Sequence, residues 1–273
     1  MRHEPCDLIT AVKNLLRPLV PRSVLRERAE RACFSRRSLH ARHLGAFSSF
    51  AEANAHIAGR AVAVDGYVLD HEAWLEERLR LSAHDYPPLF WLSRLVFDER
   101  RSAIADFGGS VGVSFYAFER YVKFPAGVHW IVCELPQVVE LGSRIARDRG
   151  ESRLEFVAEP AVLSGASVFF AAGALQYLEQ PLGQLLTKSA LHPEYLIINK
   201  LPLSARDSFI TIEGGGNGFY PCRVQSAPSF ISEMRDLGYE VVGRWKCLEH
   251  AMKVVLRPDL SFAHYQGFVL RRY

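Results

Sequence analysis

The chain has 273 residues, of which 49% are apolar and 23% charged, enough for one large globular domain or two modest ones. Its net charge of +3 marks no polyelectrolyte, and no apolar run approaches the ~18 residues a spanning helix needs. The opening MRHEPCDLIT lacks the apolar core of a secretory signal, and the five cysteines (Cys6, Cys33, Cys133, Cys222, Cys247) contain no CxxC pair; a disulfide scaffold and a zinc cluster are disfavoured, and a reducing cytoplasm is expected.

Residues 1–50 carry ten Lys/Arg against four Asp/Glu. The arginines alternate with Leu, Val and Ala at helical spacing, so a solvated helix face is expected rather than a nucleic-acid or membrane patch. Residues 1–98 read as helical, because apolar positions recur at threes and fours in ITAVKNLLRPLV, SSFAEANAHIAG, HEAWLEERLRLS and PPLFWLSRLV. This part is expected to form a lid or acceptor-binding region, with dimerisation through it left open.

From residue 99 onward the pattern changes to short β runs alternating with helices. SAIADF, HWIVCEL, RLEFVAE, SVFFAAG and YLIINKL read as strands, with helices near 113–122, PQVVELGSRIARDR, PLGQLLTKSA and SAPSFISEMRDLG. YEVVGRW and FAHYQGFVLRR then close the chain as a strand pair. Nearly continuous apolar strands between helices predict a Rossmann-like α/β fold: a seven-stranded, mostly parallel sheet with an antiparallel edge strand.

The first strand ends in D-F-G-G-S-V-G, residues 106–112. In such sheets ligands bind beyond the strands' carboxyl ends, where the strand order reverses. Gly108 and Gly109 allow close backbone approach, and the helix start after Gly112 attracts an anion. A G-x-G-x-x-G dinucleotide fingerprint fails, because Ser110 and Val113 stand at its third and sixth positions. No GK[ST] follows, and EGGGNGF (213–219) reads as a flexible loop rather than a phosphate cradle. Asp106 before the glycines suits an ammonium beside a carboxylate. Glu134, ending the next strand, suits the two hydroxyls of a ribose. An amino-acid head and a ribose together describe S-adenosylmethionine (SAM).

IADFGGSVG followed by VCELPQVVE resembles the core of class I SAM-dependent methyltransferases, above all small-molecule O-methyltransferases reading D-x-G-G-G-x-G and D-L-P-x-V. FFAAGALQYLEQPLGQLL, YLIINKLPLS and NGFYPCRVQS also resemble a little-characterised methyltransferase-like family associated with surface-sugar or secondary-metabolite genes. The resemblance implies that Asp106, Phe107, Gly108, Gly109, Ser110 and Gly112 form the cofactor loop. It implies Glu134 at the ribose, Leu135, Ala158 and Glu159 near the adenine, and Ala172 and Gly173 under the methionine portion. The implied product is S-adenosylhomocysteine. Ser110 departs from the commoner glycine.

A hydroxyl acceptor also needs its proton removed. The resembled enzymes carry a histidine after the fourth strand, where this chain reads Leu175-Gln176-Tyr177, and a glutamine is no base. His250, with Glu249 to orient it, and Tyr177 are the substitutes, or alignment alone suffices. His264 on the last strand reads as packing, and His40 and His43 (HARH) as a poor metal site. Ala172, Gly173 and Asn199 occupy the positions where catechol-type enzymes place metal-binding acids, so no metal is expected. Tyr86, Trp91, Tyr116, Phe219, Tyr220 and Arg223 are the candidates for a pocket taking a flat or carboxylated small molecule, built from the 213–225 loop and the helical part. Transfer to oxygen is expected; transfer to nitrogen or carbon, a non-methylating SAM reaction and a catalytically silent SAM-binding subunit stand as alternatives.

Overall fold

The computed structural model describes Val24 and residues 42–58, 71–100, 102–215 and 218–273. The helical reading of 9–20, Cys6, Cys33, His40, Gly59, Gly66 and the Gly216-Asn217 pair lie outside them.

Seven apolar runs form one sheet: β2 (Ala103–Phe107), β3 (His129–Cys133), β4 (Leu154–Val157), β5 (Val168–Ala172), β6 (Tyr195–Leu201), β10 (Tyr239–Cys247) and β11 (Tyr265–Arg272). Their order is β10-β11-β6-β5-β2-β3-β4. β2 to β6 are mutually parallel, whereas β11 runs antiparallel to both β6 and β10. The reversed strand therefore stands one in from the edge. Successive strands step away from β2 in opposite directions, so the order reverses at β2, and ligands bind at such a reversal.

Alternate residues of each strand feed opposite cores, which is why nearly every position is apolar. Ile104, Trp130, Phe170 and Ile197 pack on one face, with Leu92 from the helix Tyr86–Phe97, Phe115 from Val113–Glu119 and Ile145 from Pro136–Asp148. Ala105, Ile131, Phe169 and Ile198 pack on the other, with Leu185 from Leu182–Lys188 and Phe230 from Ala227–Asp236. The result is the expected doubly wound, Rossmann-like sheet between two helical layers. Among the described residues no helix is long and apolar enough to cross a membrane.

A second sheet corrects two expectations. Its order is β1-β8-β9-β7, with β1 Arg42–Phe47, β7 Leu203–Ser204, β8 Phe209–Gly215 and β9 Gly218–Ser226. Residues 42–47 are thus strand where the sequence predicts helix, because His43 and Leu44 pair with Glu213 and Ile212. That pairing lets Leu44 join Ile210 and Ile212 in a small core with Phe50 and Ala53 from the helix Phe50–Ala58. The segment 213–225, predicted as a loop, is a β8–β9 hairpin over its described residues, with Cys222, Val224 and Ser226 buried at every second position. The smaller sheet takes residues from both sides of position 98. His264 precedes the last strand rather than lying on it.

Candidate functional site

The segment 106–112 turns from β2 into the next helix at the point where strand order reverses. Gly108 and Gly112 adopt φ of +69° and +85°. A Cβ on Gly108 would lie 2.2 Å from Ala174 Cβ, so the turn after β5 closes directly on this loop. Ser110, the departure from the resembled pattern, also has positive φ, +54°. That backbone costs an L-residue about 1–2 kcal/mol, which is why glycine is at home there.

Glu134 stands at the carboxyl end of β3 and reaches back to the loop. Its Oε1 accepts from the Ser110 N–H at 3.1 Å and its Oε2 from the Leu135 N–H at 2.8 Å. Each oxygen keeps a further acceptor site for a ligand hydroxyl. Leu135 is 49% exposed beside it, and Ala158 and Glu159 are exposed just after β4. Val162, 52% exposed after the same strand, adds apolar surface that no sequence signal marked.

Asp106 is placed differently from its expected role. Its carboxylate is 1% exposed and accepts from the Trp130 indole at 3.0 Å. A Cβ on Gly109 would lie 2.4 Å from its Oδ2, so the loop wraps over it. Burial, opposed by the indole bond, raises its pKa to about 7. Asp106 therefore supports the loop from beneath and does not face a ligand ammonium. Phe107 likewise contributes backbone only, since its ring stacks on Phe169 in the core.

Gly173 follows β5 at φ +78°, and a Cβ there would meet Lys200 Cε at 3.3 Å. Lys200 was not singled out from the sequence. It too has positive φ, +57°, and burial lowers its pKa while Asp85 and Asp106 pull it back up. The available signal was the polar pair Asn199-Lys200 breaking an otherwise apolar strand. Asn199 is 1% exposed and accepts from Trp245 Nε1 and Cys247 Sγ while donating to the His84 carbonyl.

The catalytic candidates do not converge on one point. Gln176 is 5% exposed, and its Oε1 has no partner among the described residues. It lines a small cavity with Arg223, Leu201 and Phe230. Tyr177 exposes its ring but donates its hydroxyl to Glu213 Oε2 at 2.9 Å. Burial of that hydroxyl, with Glu213 beside it, pushes its pKa well up. His250 packs edge-on against His84 and stacks on Tyr265. Burial first, and His84 second, lower its pKa to about 4. Glu249 does not orient His250 as expected: its Oε2 lies 3.1 Å from His84 Nδ1 instead.

Of the acceptor candidates, Arg223 donates to the Glu179 carbonyl and lies over the Phe50 ring. Phe219 packs on the small core beside it, Tyr220 is half-buried on the same strand, and Tyr86 is exposed. Tyr116 and Trp91 are not part of this group. Tyr116 sits in the helical-side core under the Arg149 guanidinium, and Trp91 packs against Gly243 on β10.

No family model matches the chain, and no curated protein does. Among solved structures it is similar to the 1,6-didemethyltoxoflavin-N1-methyltransferase of Burkholderia thailandensis, which holds 1,6-didemethyltoxoflavin and S-adenosylhomocysteine, at 19% identity, TM-score 0.43, over 77% of this chain and 93% of that one. It is similar to the CcbJ methyltransferase of Streptomyces caelestis at 16%, TM-score 0.45, over 70% and 90%. A third is the magnesium protoporphyrin IX methyltransferase of Synechocystis PCC 6803 with bound S-adenosylhomocysteine, at 12%, TM-score 0.47, over 81% and 95%. The fold assignment rests on the strand order of this chain itself.

Proposed function

We propose that the protein is a SAM-dependent methyltransferase acting on a small-molecule or sugar-derived acceptor at oxygen, in the cytoplasm. The carrying observation is Glu134, which ends the strand beside the glycine loop and ties to its Ser110 N–H at the point of strand reversal. The residues fit the cofactor. A glycine-rich loop, without Cβ atoms at Gly108, Gly109 and Gly112, receives the methionine portion, and Glu134 takes the ribose hydroxyls with its remaining acceptor sites. Leu135, Val162, Ala158 and Glu159 border the adenine, and Lys200 sets a cation beside Gly173 for the methionine carboxylate. Bound SAM supplies a methyl group activated by its sulfonium.

The chain's own contribution is to align the acceptor, since holding reactants at about 3–3.5 Å supplies much of such a rate. His250, neutral with its pKa near 4, is a weak base at neutral pH, so alignment leads. The Gln176 side chain in the base position gives a second reading some weight: a SAM-binding subunit without transfer. Titration calorimetry with SAM, S-adenosylhomocysteine and NAD tests the cofactor, and binding of NAD alone sinks the proposal. Mass gain of candidate acceptors with labelled SAM then separates an enzyme from a silent subunit.

A further inference from the structure

Three strands of the smaller sheet bring an imidazole, a carboxylate and a thiol to one place. His43 on β1 pairs in register with Glu213 on β8. Cys222 on β9 pairs with Thr211, two positions before Glu213 and so on the same face. One donor atom from each of the three lies within 4.8 Å of the others. His43 Nε2 is 3.7 Å from Glu213 Oε2.

Two tyrosines border the cluster: the Tyr177 hydroxyl donates to Glu213 and the Tyr265 hydroxyl lies 3.4 Å from His43 Nε2. His43 is 2% exposed and Cys222 fully buried. His43 Nδ1 has no hydrogen-bond partner among the described residues. Cys222 Sγ makes a long contact of 4.0 Å to the Arg223 carbonyl and lies beside the Glu213 carboxylate. Buried polar atoms left this way call for a ligand or a function. The frame is rigid, because each donor sits on a paired strand rather than a loop.

We propose that His43, Glu213 and Cys222 bind one zinc ion. A thiolate, an imidazole and a carboxylate are zinc's donor set, whereas calcium and magnesium take oxygen. Zinc bonds of about 2.0–2.3 Å put neighbouring tetrahedral donors about 3.3–3.8 Å apart. For a nitrogen–oxygen pair that is about 3.3–3.6 Å; the His43–Glu213 separation of 3.7 Å lies just outside it, and side-chain rotation closes the rest. Three protein ligands with one open position is the arrangement of a zinc that takes water or a substrate oxygen. Tyr177, which donates to Glu213 and is 44% exposed, links the cluster to the surface. The ion would polarise an acceptor hydroxyl where Gln176 supplies no base; this last step rests on the methyltransferase reading. The sequence expectation of no metal weighed His40 with His43 and the catechol-type positions, and strand pairing supplies different partners.

The full chain, stripped with chelator and titrated anaerobically with Co²⁺, should develop a thiolate-to-cobalt absorption that saturates at one equivalent and disappears when zinc is added. Cys222→Ser should abolish the band, whereas Cys133→Ser and Cys247→Ser should keep it. Glu213→Gln and His43→Gln should weaken zinc at least ~10-fold. If Cys222→Ser does not fold by circular dichroism, the wild-type band and Glu213→Gln decide. A missing band, a band that survives Cys222→Ser, or wild-type zinc binding weaker than ~10 µM overturns the site and leaves a hydrogen-bonded cluster only. Calorimetry with SAM on the stripped protein separates the two proposals: SAM bound there while the cobalt band is missing overturns the metal alone.

Discussion

The carboxyl ends of β2 and β3 and the face of the smaller sheet hold their functional groups by different means. At the first, the backbone does much of the holding: three residues of one short loop have positive φ, Glu134 accepts from its Ser110 N–H, and buried Asp106 lies beneath it. At the second, side chains from distant segments meet, as Tyr177, Glu213, His43 and Tyr265 do. Backbone geometry tolerates almost no substitution but is written locally in the sequence. Side-chain clusters tolerate more and are written nowhere in particular. The first region suits a ligand of fixed shape, and on the proposed reading the second meets the acceptor.

The largest test of this contrast is Gly108→Val. Positive φ costs a valine about 1–2 kcal/mol, and forcing bulk against Ala174 adds about 1–3 kcal/mol. Thermal stability should fall by that sum, and SAM affinity by on the order of 10²-fold as the loop is displaced. Calorimetry that finds affinity within threefold of wild type, in a folded variant, would show that the loop is not the cofactor cradle.

Glu134→Ala comes next. A charge-assisted hydrogen bond contributes about 1.5–3 kcal/mol, so loss of the ribose contacts should weaken SAM at least ~10-fold. Circular dichroism should stay native, since the change removes two hydrogen bonds from one loop, of which the Leu135 bond lies at an exposed residue. An unchanged dissociation constant assigns the ribose to another residue and dissolves the reading of the first region.

These two residues were legible because D-F-G-G-S-V-G and the acid ending the next strand are contiguous motifs at fixed spacing. The strands were legible from their apolar runs. The smaller sheet was not, because 42–47 carries too few residues to separate a helical from an alternating pattern, and only pairing with β8 decides it. His43, Glu213 and Cys222 share no sequence neighbourhood. Glu249 stands beside His250 in sequence yet binds His84, because the turn after β10 brings it to the Ala83–Asp85 segment. Lys200 shows in the sequence only as part of a polar pair in an apolar strand, and its place beside Gly173 needs the backbone.

The third test uses pH and compares the regions directly. Asp106, with a pKa near 7, is protonated in the fold but ionised in the unfolded chain between about pH 4 and 7, so its contribution falls as pH rises. His250, with a pKa near 4, is neutral in the fold but charged in the unfolded chain between about pH 4 and 6.5, so its contribution rises with pH. The two oppose each other across that window. Relative to wild type, Asp106→Asn should stabilise increasingly as pH rises from 4 to 7, and His250→Gln should stabilise increasingly as it falls from 6.5. Denaturant melts at several pH values check both slopes, and parallel curves for all three proteins refute the burial of both groups. The same His250 variant should keep kcat within about tenfold of wild type if alignment suffices, because general-base loss costs about 10²–10⁴. A loss above a hundredfold, with SAM affinity unchanged, makes His250 the base.

The smallest effect is the most specific. Ser110 holds φ at +54° in a loop where its neighbours at positive φ are glycines. Ser110→Gly removes a strain of about 1–2 kcal/mol but adds unfolded-chain freedom worth about 0.5–1 kcal/mol. The net gain is at most about 1.5 kcal/mol, or about 3–6 °C in Tm for a chain of this size. The N–H that donates to Glu134 is unchanged, so SAM affinity should stay within threefold. If the serine side chain instead braces the loop, the glycine variant will melt lower and bind SAM more weakly. That outcome would move Ser110 from the backbone-held region to the side-chain-held one, and with it the claim that the cofactor loop is held by its backbone.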